Sequence, residues 1–163
     1  MPTKIVLIGA GSAVFTGGLV RDLLSADDLG AWALGLVDIQ EEALQTAVGL
    51  CQRIAAAYEV DLDIDASTDR RDVLPGADLV VTTIAVGGRR AWELDVQIPR
   101  QFGIYQPVGD TVMPGGISRA QRMIPALVEI ARDVAALAPT ARLFNYANPM
   151  TANCWAIRQA TGL

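Results

Sequence analysis

The run Lys4-Ile5-Val6-Leu7-Ile8-Gly9-Ala10-Gly11-Ser12 decides the fold of this chain. Four consecutive aliphatic residues, Ile5 to Ile8, read as a strand buried on both faces of a parallel sheet, since a half-exposed strand would alternate. The run is too short to cross a membrane and Gly9 interrupts it. Gly9 lets the chain turn tightly off the strand, and Gly11 lets the backbone approach a pyrophosphate. The helix expected from about Val14 to Ser25 then aims its free N–H groups and positive end at the phosphates, with Ser12 at its mouth. The third glycine of the usual dinucleotide fingerprint falls on Val14, so the fingerprint is incomplete and its context must carry the reading.

Working outward, Leu34–Ile39 is a second short apolar run with Asp38 near its end. A carboxylate there suits the ribose diol of adenosine and would repel a 2′-phosphate, which favours NAD over NADP. It equally suits capping of a helix that begins near Glu41; alongside Gly9 and Gly11, the ribose reading is preferred. From Glu41 to Tyr58, the residues Leu44, Ala47, Val48, Cys51, Ile54, Ala55 and Tyr58 form one apolar stripe at helical spacing. Asp61–Ala66 alternates aspartate with apolar residues, as in a half-exposed strand toward a sheet edge. It lacks the glycine and glutamate of a calcium loop.

Further on, Pro75-Gly76 marks a turn and Asp78–Ile84 another buried strand, broken by Gly87-Gly88-Arg89-Arg90. A helix is expected over Ala91–Phe102 and a long loop over Tyr105–Gly116. Ser118–Leu137 reads as a helix that Pro125 should kink or break. Arg142–Tyr146 is a fifth strand, and Thr151–Thr161 a last helix capped by Gly162. Strand and helix alternate throughout. The expected fold class is therefore α/β: a Rossmann-like, doubly wound, mainly parallel sheet with helices on both faces, in one domain over residues 1–163.

Composition removes several function classes. None of the 163 residues is histidine. That excludes Ser-His-Asp and Cys-His nucleophile pairs, imidazole bases and histidine-ligated metal sites within this chain. A net charge of -5 argues against binding a nucleic-acid backbone. Cys51 and Cys154 lie far apart, both read as small core residues on apolar helix faces. With no secretory signal, they fit a reducing cytoplasm.

Residues 105–155 narrow the reading. Gly109-Asp110-Thr111-Val112-Met113-Pro114-Gly115-Gly116-Ile117, followed by Arg119, Arg122 and Ile124-Pro125, resembles the substrate loop and helix of family 4 glycoside hydrolases. So does Asn145-Tyr146-Ala147-Asn148-Pro149-Met150 with Asn153 and Trp155. The opening Ile8–Ser12 with Phe15, the Asp38 strand end and the Gly87-Gly88 turn also fit, so the resemblance spans essentially the whole chain. Within the family, the Asn-Pro-Met form with a following Asn and Trp is closer to the α-galactosidase, α-glucosidase and α-galacturonidase branch than to the 6-phospho-glycosidases.

The resemblance implies an NAD-dependent α-glycosidase, an exception to the usual two-carboxylate scheme. The implied route is redox–elimination: oxidation at C3 of the sugar by NAD, deprotonation at C2 with help from a divalent metal (Mn²⁺), elimination at C1, then water addition and return of the hydride. It implies cofactor contacts at Gly9, Gly11, Ser12, Asp38, Gly87 and Gly88, and sugar contacts at Asp110 and Asn148 with Arg119 orienting the loop. Each has a plainer alternative. Asp110 in Gly-Asp-Thr could be a turn-former, and Asn148 could merely precede a helix with Pro149 at its first turn. Arg89 and Arg90 read as solvated, and Asn153 and Trp155 as packing.

The family pattern continues into a strand with a Cys-His pair, a further metal-binding histidine and the catalytic base, none of them in these residues. The expectation is thus a cofactor-binding N-terminal portion, with no catalytic or metal residue of its own and no hydrolysis by itself, from a cytoplasmic enzyme that is a homo-oligomer when full length. It would act on small sugars, with no nucleic-acid or membrane partner. Exposed apolar surface is expected where further chain would pack. Two other functions stay open: a lactate/malate-dehydrogenase-like oxidoreductase, weakened by the absent histidine, and a non-catalytic nucleotide-binding module.

Overall fold

The computed structural model describes residues 2–26 and 30–163, the side chain of Ala13 excepted. In chain order the elements are β1 (Thr3–Ile8), α1 (Ala13–Leu24), β2 (Trp32–Val37), α2 (Glu41–Ala57), β3 (Ile64–Ser67) and α3 (Arg70–Val73). They continue with β4 (Leu79–Thr82), α4 (Gly88–Arg100), α5 (Met113–Leu137), β5 (Arg142–Asn145) and α6 (Met150–Thr161). The strands form one sheet in the order β3-β2-β1-β4-β5. β1 pairs in parallel with both β2 and β4, and β2 with β3. The order reverses between β1 and β4, which makes the C-terminal ends of those strands the topological switch point where ligands of such sheets bind. The fold is α/β of the Rossmann type, as expected.

The chain divides into two compact units, Met1–Thr83 with Asp133–Phe144, and Ile84–Arg132 with Asn145–Leu163. In the first, β1 and β2 are buried from Ile5 to Ile8 and from Leu34 to Val37, which explains their unbroken apolar runs. Ile5, Leu7, Leu34 and Leu36 pack with Val20 of α1 and with Leu44, Ala47, Cys51 and Ile54 of α2. The other side of β2 meets α3. A Cβ on Gly35 would sit 3.0 Å from the Val6 side chain and closer still to Val73. β3 is the edge strand, with Asp65 and Ala66 exposed.

Several boundaries differ from the sequence expectation. The short helix α3 was not foreseen. α5 begins at Met113 rather than Ser118 and runs through Pro125 without a break. Pro125 removes a donor to the carbonyl of Gln121, and both residues lie on the exposed side of the helix, where solvent can satisfy that oxygen. Gly115 and Gly116 suggested loop, yet they form part of the first helical turn. Any side chain at Gly116 would collide with the Thr111 backbone, so these glycines serve close packing rather than a turn. Likewise α4 starts at Gly88, not near Ala91, because Gly87 (φ 79°) takes the left-handed conformation just ahead of it. Arg89 and Arg90 are therefore helical, with Arg89 solvated and paired to Glu93 at 2.9 Å.

Candidate functional site

In the first unit the turn after β1 is stitched in place from several sides. Gly9 has φ 96°. The Gly9 and Ala10 N–H groups both donate to Val37 O (2.8 and 3.0 Å), tying the turn to the end of β2. Thr83, just beyond β4, donates its hydroxyl to Gly9 O (3.0 Å), and buried Thr16 donates to Ala10 O (2.7 Å). Gly11 N–H donates to Asp38 Oδ2 (2.8 Å), while Gln40 N–H donates to Asp38 Oδ1 (3.0 Å). A Cβ on Gly11 would lie 2.7 Å from Asp38 Oδ2 and 2.8 Å from Ala43 Cβ. Only glycine fits there.

Gly9, Gly11, Ser12 and Asp38 are thus brought together at the sheet's switch point. Ser12 occupies the N-cap of α1 but its side chain makes no capping bond, which leaves the positive end of the helix for an outside acceptor. The N-cap of α2 is Gln40, so Asp38 does not itself cap that helix. Each Asp38 oxygen accepts one backbone bond and keeps further acceptor capacity for hydroxyl donors. Val14, where a third glycine was sought, is 87% exposed and crowds nothing.

In the second unit a separate group assembles. Asn148 Nδ2 donates to Asp110 Oδ2 (2.9 Å), and Arg119 Nε donates to Asn148 O (3.0 Å). The Thr111 hydroxyl holds the other Asp110 oxygen at 3.0 Å. The two expected sugar contacts and Arg119 therefore form one chain, half-buried and still reachable from solvent. The turn before Asn148 is clasped by two amides: Asn145 and Asn153 each donate to Ala147 O (2.9 and 3.0 Å). Asn153 Oδ1 is buried without a partner among the described residues. The Asn148–Pro149 peptide is cis, and Pro149 is the N-cap of α6.

Gly87 and Gly88 lie at the start of α4, and sequence reasoning missed what holds them. Arg122 grips the Asp95 carboxylate with both terminal nitrogens and donates from Nε to Val86 O (3.0 Å). Asp95 is 3% exposed. Burial pushes its carboxyl up, but the Arg122 guanidinium and the Ser118 hydroxyl outweigh that, so the acid sits below its ordinary value. The Asp95 carbonyl accepts from Gln106 Nε2 (2.9 Å), and Gln106 Oε1 accepts from Gly115 N–H (3.3 Å). No motif or spacing in the sequence sets Asp95 apart from the other acids of the chain.

Two further expectations need correction. Cys154 is exposed rather than core, with its sulfur 3.7 Å from Asn145 Nδ2, whereas Cys51 is fully buried and burial lifts its thiol to about 11. Trp155 is 68% exposed and so does not pack within this chain. Among the described residues, no group of three or more Cys, Asp or Glu side chains is placed to hold a metal ion. Among them, too, no helix is long and apolar enough to cross a membrane.

Comparison with known proteins finds a family match over this chain. A model described as "Family 4 glycosyl hydrolase" matches residues 4–163. An alpha-galactosidase of Rhizobium meliloti (strain 1021) is 41% identical over 154 residues, 94% of this chain and 31% of the relative. An alpha-glucosidase of Erwinia rhapontici is 41% identical over 160 residues, 98% of this chain and 35% of the relative. The solved 6-phospho-beta glucosidase of Thermotoga maritima, with manganese, NAD+ and glucose-6-phosphate, superposes with a TM-score of 0.80 at 25% identity. That superposition covers 90% of this chain and 34% of the other. The chain thus spans about a third of the length of the curated relatives it matches. With a family match over nearly its whole length, the chain belongs to the family 4 glycosyl hydrolases.

Proposed function

We propose that residues 1–163 form the NAD-binding domain of an α-glycosidase that cleaves glycosidic bonds by redox–elimination in carbohydrate metabolism. The observation that carries this reading is the Gly11–Asp38 contact, a close approach that any side chain at position 11 would block, at the mouth of α1 and at the sheet's switch point. The residues fit the cofactor. Gly9 and Gly11 keep side chains out of the turn, the first-turn N–H groups of α1 behind Ser12 face a pyrophosphate, Asp38 accepts from the ribose diol, and exposed Ile39 offers apolar surface to a base. The family resemblance adds Gly87 and Gly88 as cofactor contacts.

When bound, NAD supplies the hydride acceptor for oxidation of a sugar carbon. The chain's own part is to bind and orient. Asp110 and the Asn148 side chain accept from and donate to sugar hydroxyls, and Arg119 holds Asn148 through its carbonyl. The α-galactosidase, α-glucosidase and α-galacturonidase relatives support an α-linked sugar as substrate. The manganese in the Thermotoga maritima structure supports a divalent metal in the whole enzyme, held by residues outside this chain. The protein works in the cytoplasm, as a homo-oligomer when full length, with neither nucleic acid nor membrane as partner. The 163-residue chain alone does not hydrolyse glycosides.

Backbone amide NMR during an NAD⁺ titration tests the reading. The amides of Gly9–Ala13 and Gln40 should shift saturably, with a second set at Gly87 and Gly88. Shifts confined to other surfaces, or none at millimolar NAD⁺, would overturn it. Release of nitrophenol from an aryl α-glycoside by this chain, with NAD⁺ and Mn²⁺, would overturn the statement that it is inactive alone.

A further inference from the structure

The loop that carries Asp110 has no strand or helix to hold it, yet it is folded around a buried amide. Gln106 is 3% exposed and satisfied at both ends, donating to Asp95 O (2.9 Å) and accepting from Gly115 N–H (3.3 Å). Gly109, with φ 66°, and Gly115 both press against the Gln106 amide so closely that a Cβ on either would collide with it. A Cβ on Gly115 would also come within 2.8 Å of Asp95 O. Trp92 adds a peripheral tie, its indole N–H donating to Val108 O at 2.6 Å. The residue beneath the amide, Asp95, is in turn locked by both Arg122 nitrogens, and Arg122 reaches on to Val86 O, immediately before Gly87. One half-turn of α4 therefore anchors two loops: the Asp110 loop through its carbonyl and the Gly87-Gly88 turn through its carboxylate.

We propose that Gln106, with the Asp95–Arg122 pair beneath it, is a positioning residue that sets the backbone of the 107–112 loop so that Asp110 meets its ligand already in place. The inference rests on the reading of Asp110 and Asn148 as sugar contacts, and it deepens that reading: recognition depends on an amide that no ligand touches. The chemistry favours a side-chain amide at this spot. It must donate to one carbonyl and accept from one N–H in the same buried plane, which neither a carboxylate nor an ammonium can do. Buried polar groups of this kind specify one arrangement only when every bond is made.

Gln106→Leu keeps the bulk and removes both bonds; Asp95→Asn keeps the shape and removes the charge that locks Arg122. Amide hydrogen exchange on the wild-type chain and both variants, without ligand, reads the positioning directly. Gln106→Leu should speed exchange in residues 107–112 and at Gly115 at least tenfold, with α2 and the central strands unchanged. Asp95→Asn should speed exchange at residues 86–88 by more than it speeds exchange in the central strands. Unchanged loop exchange in both variants would overturn the proposal, as would uniform loss of protection through the chain, which marks a general folding role. Calorimetry with methyl α-D-galactopyranoside and methyl α-D-glucopyranoside at saturating NAD⁺ adds the ligand readout. Gln106→Leu should weaken sugar binding tenfold or more while NAD⁺ affinity moves less than twofold; equal weakening of both overturns the proposal. A wild-type chain that binds neither sugar, with loop exchange altered as described, would instead sink the sugar-contact reading of Asp110.

Discussion

Asp95 shows how much one residue is asked to do. Removing its charge leaves the Arg122 guanidinium short of its partner in a partly buried site, which should cost on the order of 2 kcal/mol near neutral pH. Because the folded-state pKa of Asp95 is depressed, its contribution is present above the unfolded value and is lost as pH falls through the folded one. The stability gap between wild type and Asp95→Asn should therefore be full at pH 7 and shrink below about pH 4. Thermal melts of both proteins across that range check it; a gap that widened on acidification would contradict the sign. The two cysteines make a second residue-scale test. Cys51 is buried with its thiol at about 11, and Cys154 is exposed. A thiol reagent at pH 7.5 should label one cysteine in the native chain and two after denaturation. Modification of Cys51 in the native state would contradict the packing of α2.

At the scale of elements, the glycines divide into those that packing demands and those that it does not. Gly49 sits within α2 with open space where a Cβ would go and no positive φ. Gly49→Ala should stabilise the chain by about 0.5–1 kcal/mol, seen as a rise of about 2 °C in Tm. Gly115→Ala, also helical, should instead destabilise, because its Cβ meets Gln106, the Gly109 carbonyl and Asp95 O. The same contrast explains which elements the sequence revealed. β1, β2 and α2 were legible because their burial is periodic or continuous, and periodicity survives in one dimension. The start of α5 was not, since Gly115 answers to Asp95 on α4, which is close in space and not in sequence. Pro125 misled for a related reason: it lies on the exposed side of α5, where solvent can reach the helix backbone that the proline leaves without a partner.

For the whole molecule, alternating elements and an incomplete glycine fingerprint pointed to a doubly wound sheet; the structure adds the strand order β3-β2-β1-β4-β5, and the switch point falls where Gly9 leaves β1. The sequence named Gly11 and Asp38 separately; the structure adds that they touch, which makes the turn and the acid one unit. It named Asp110, Asn148 and Arg119 by resemblance, and their hydrogen-bonded chain spans residues that no local pattern links. Asp95 and Gln106 stayed hidden because a buried network shows no composition or spacing. The measurement that tests the central claim most directly is calorimetric titration of this chain with NAD⁺ and NADP⁺, alongside Asp38→Ala. NAD⁺ should bind at least tenfold tighter than NADP⁺ in the wild type, and the variant should lose both affinity and that preference. No binding of NAD⁺, or binding that Asp38→Ala leaves unchanged, would contradict it.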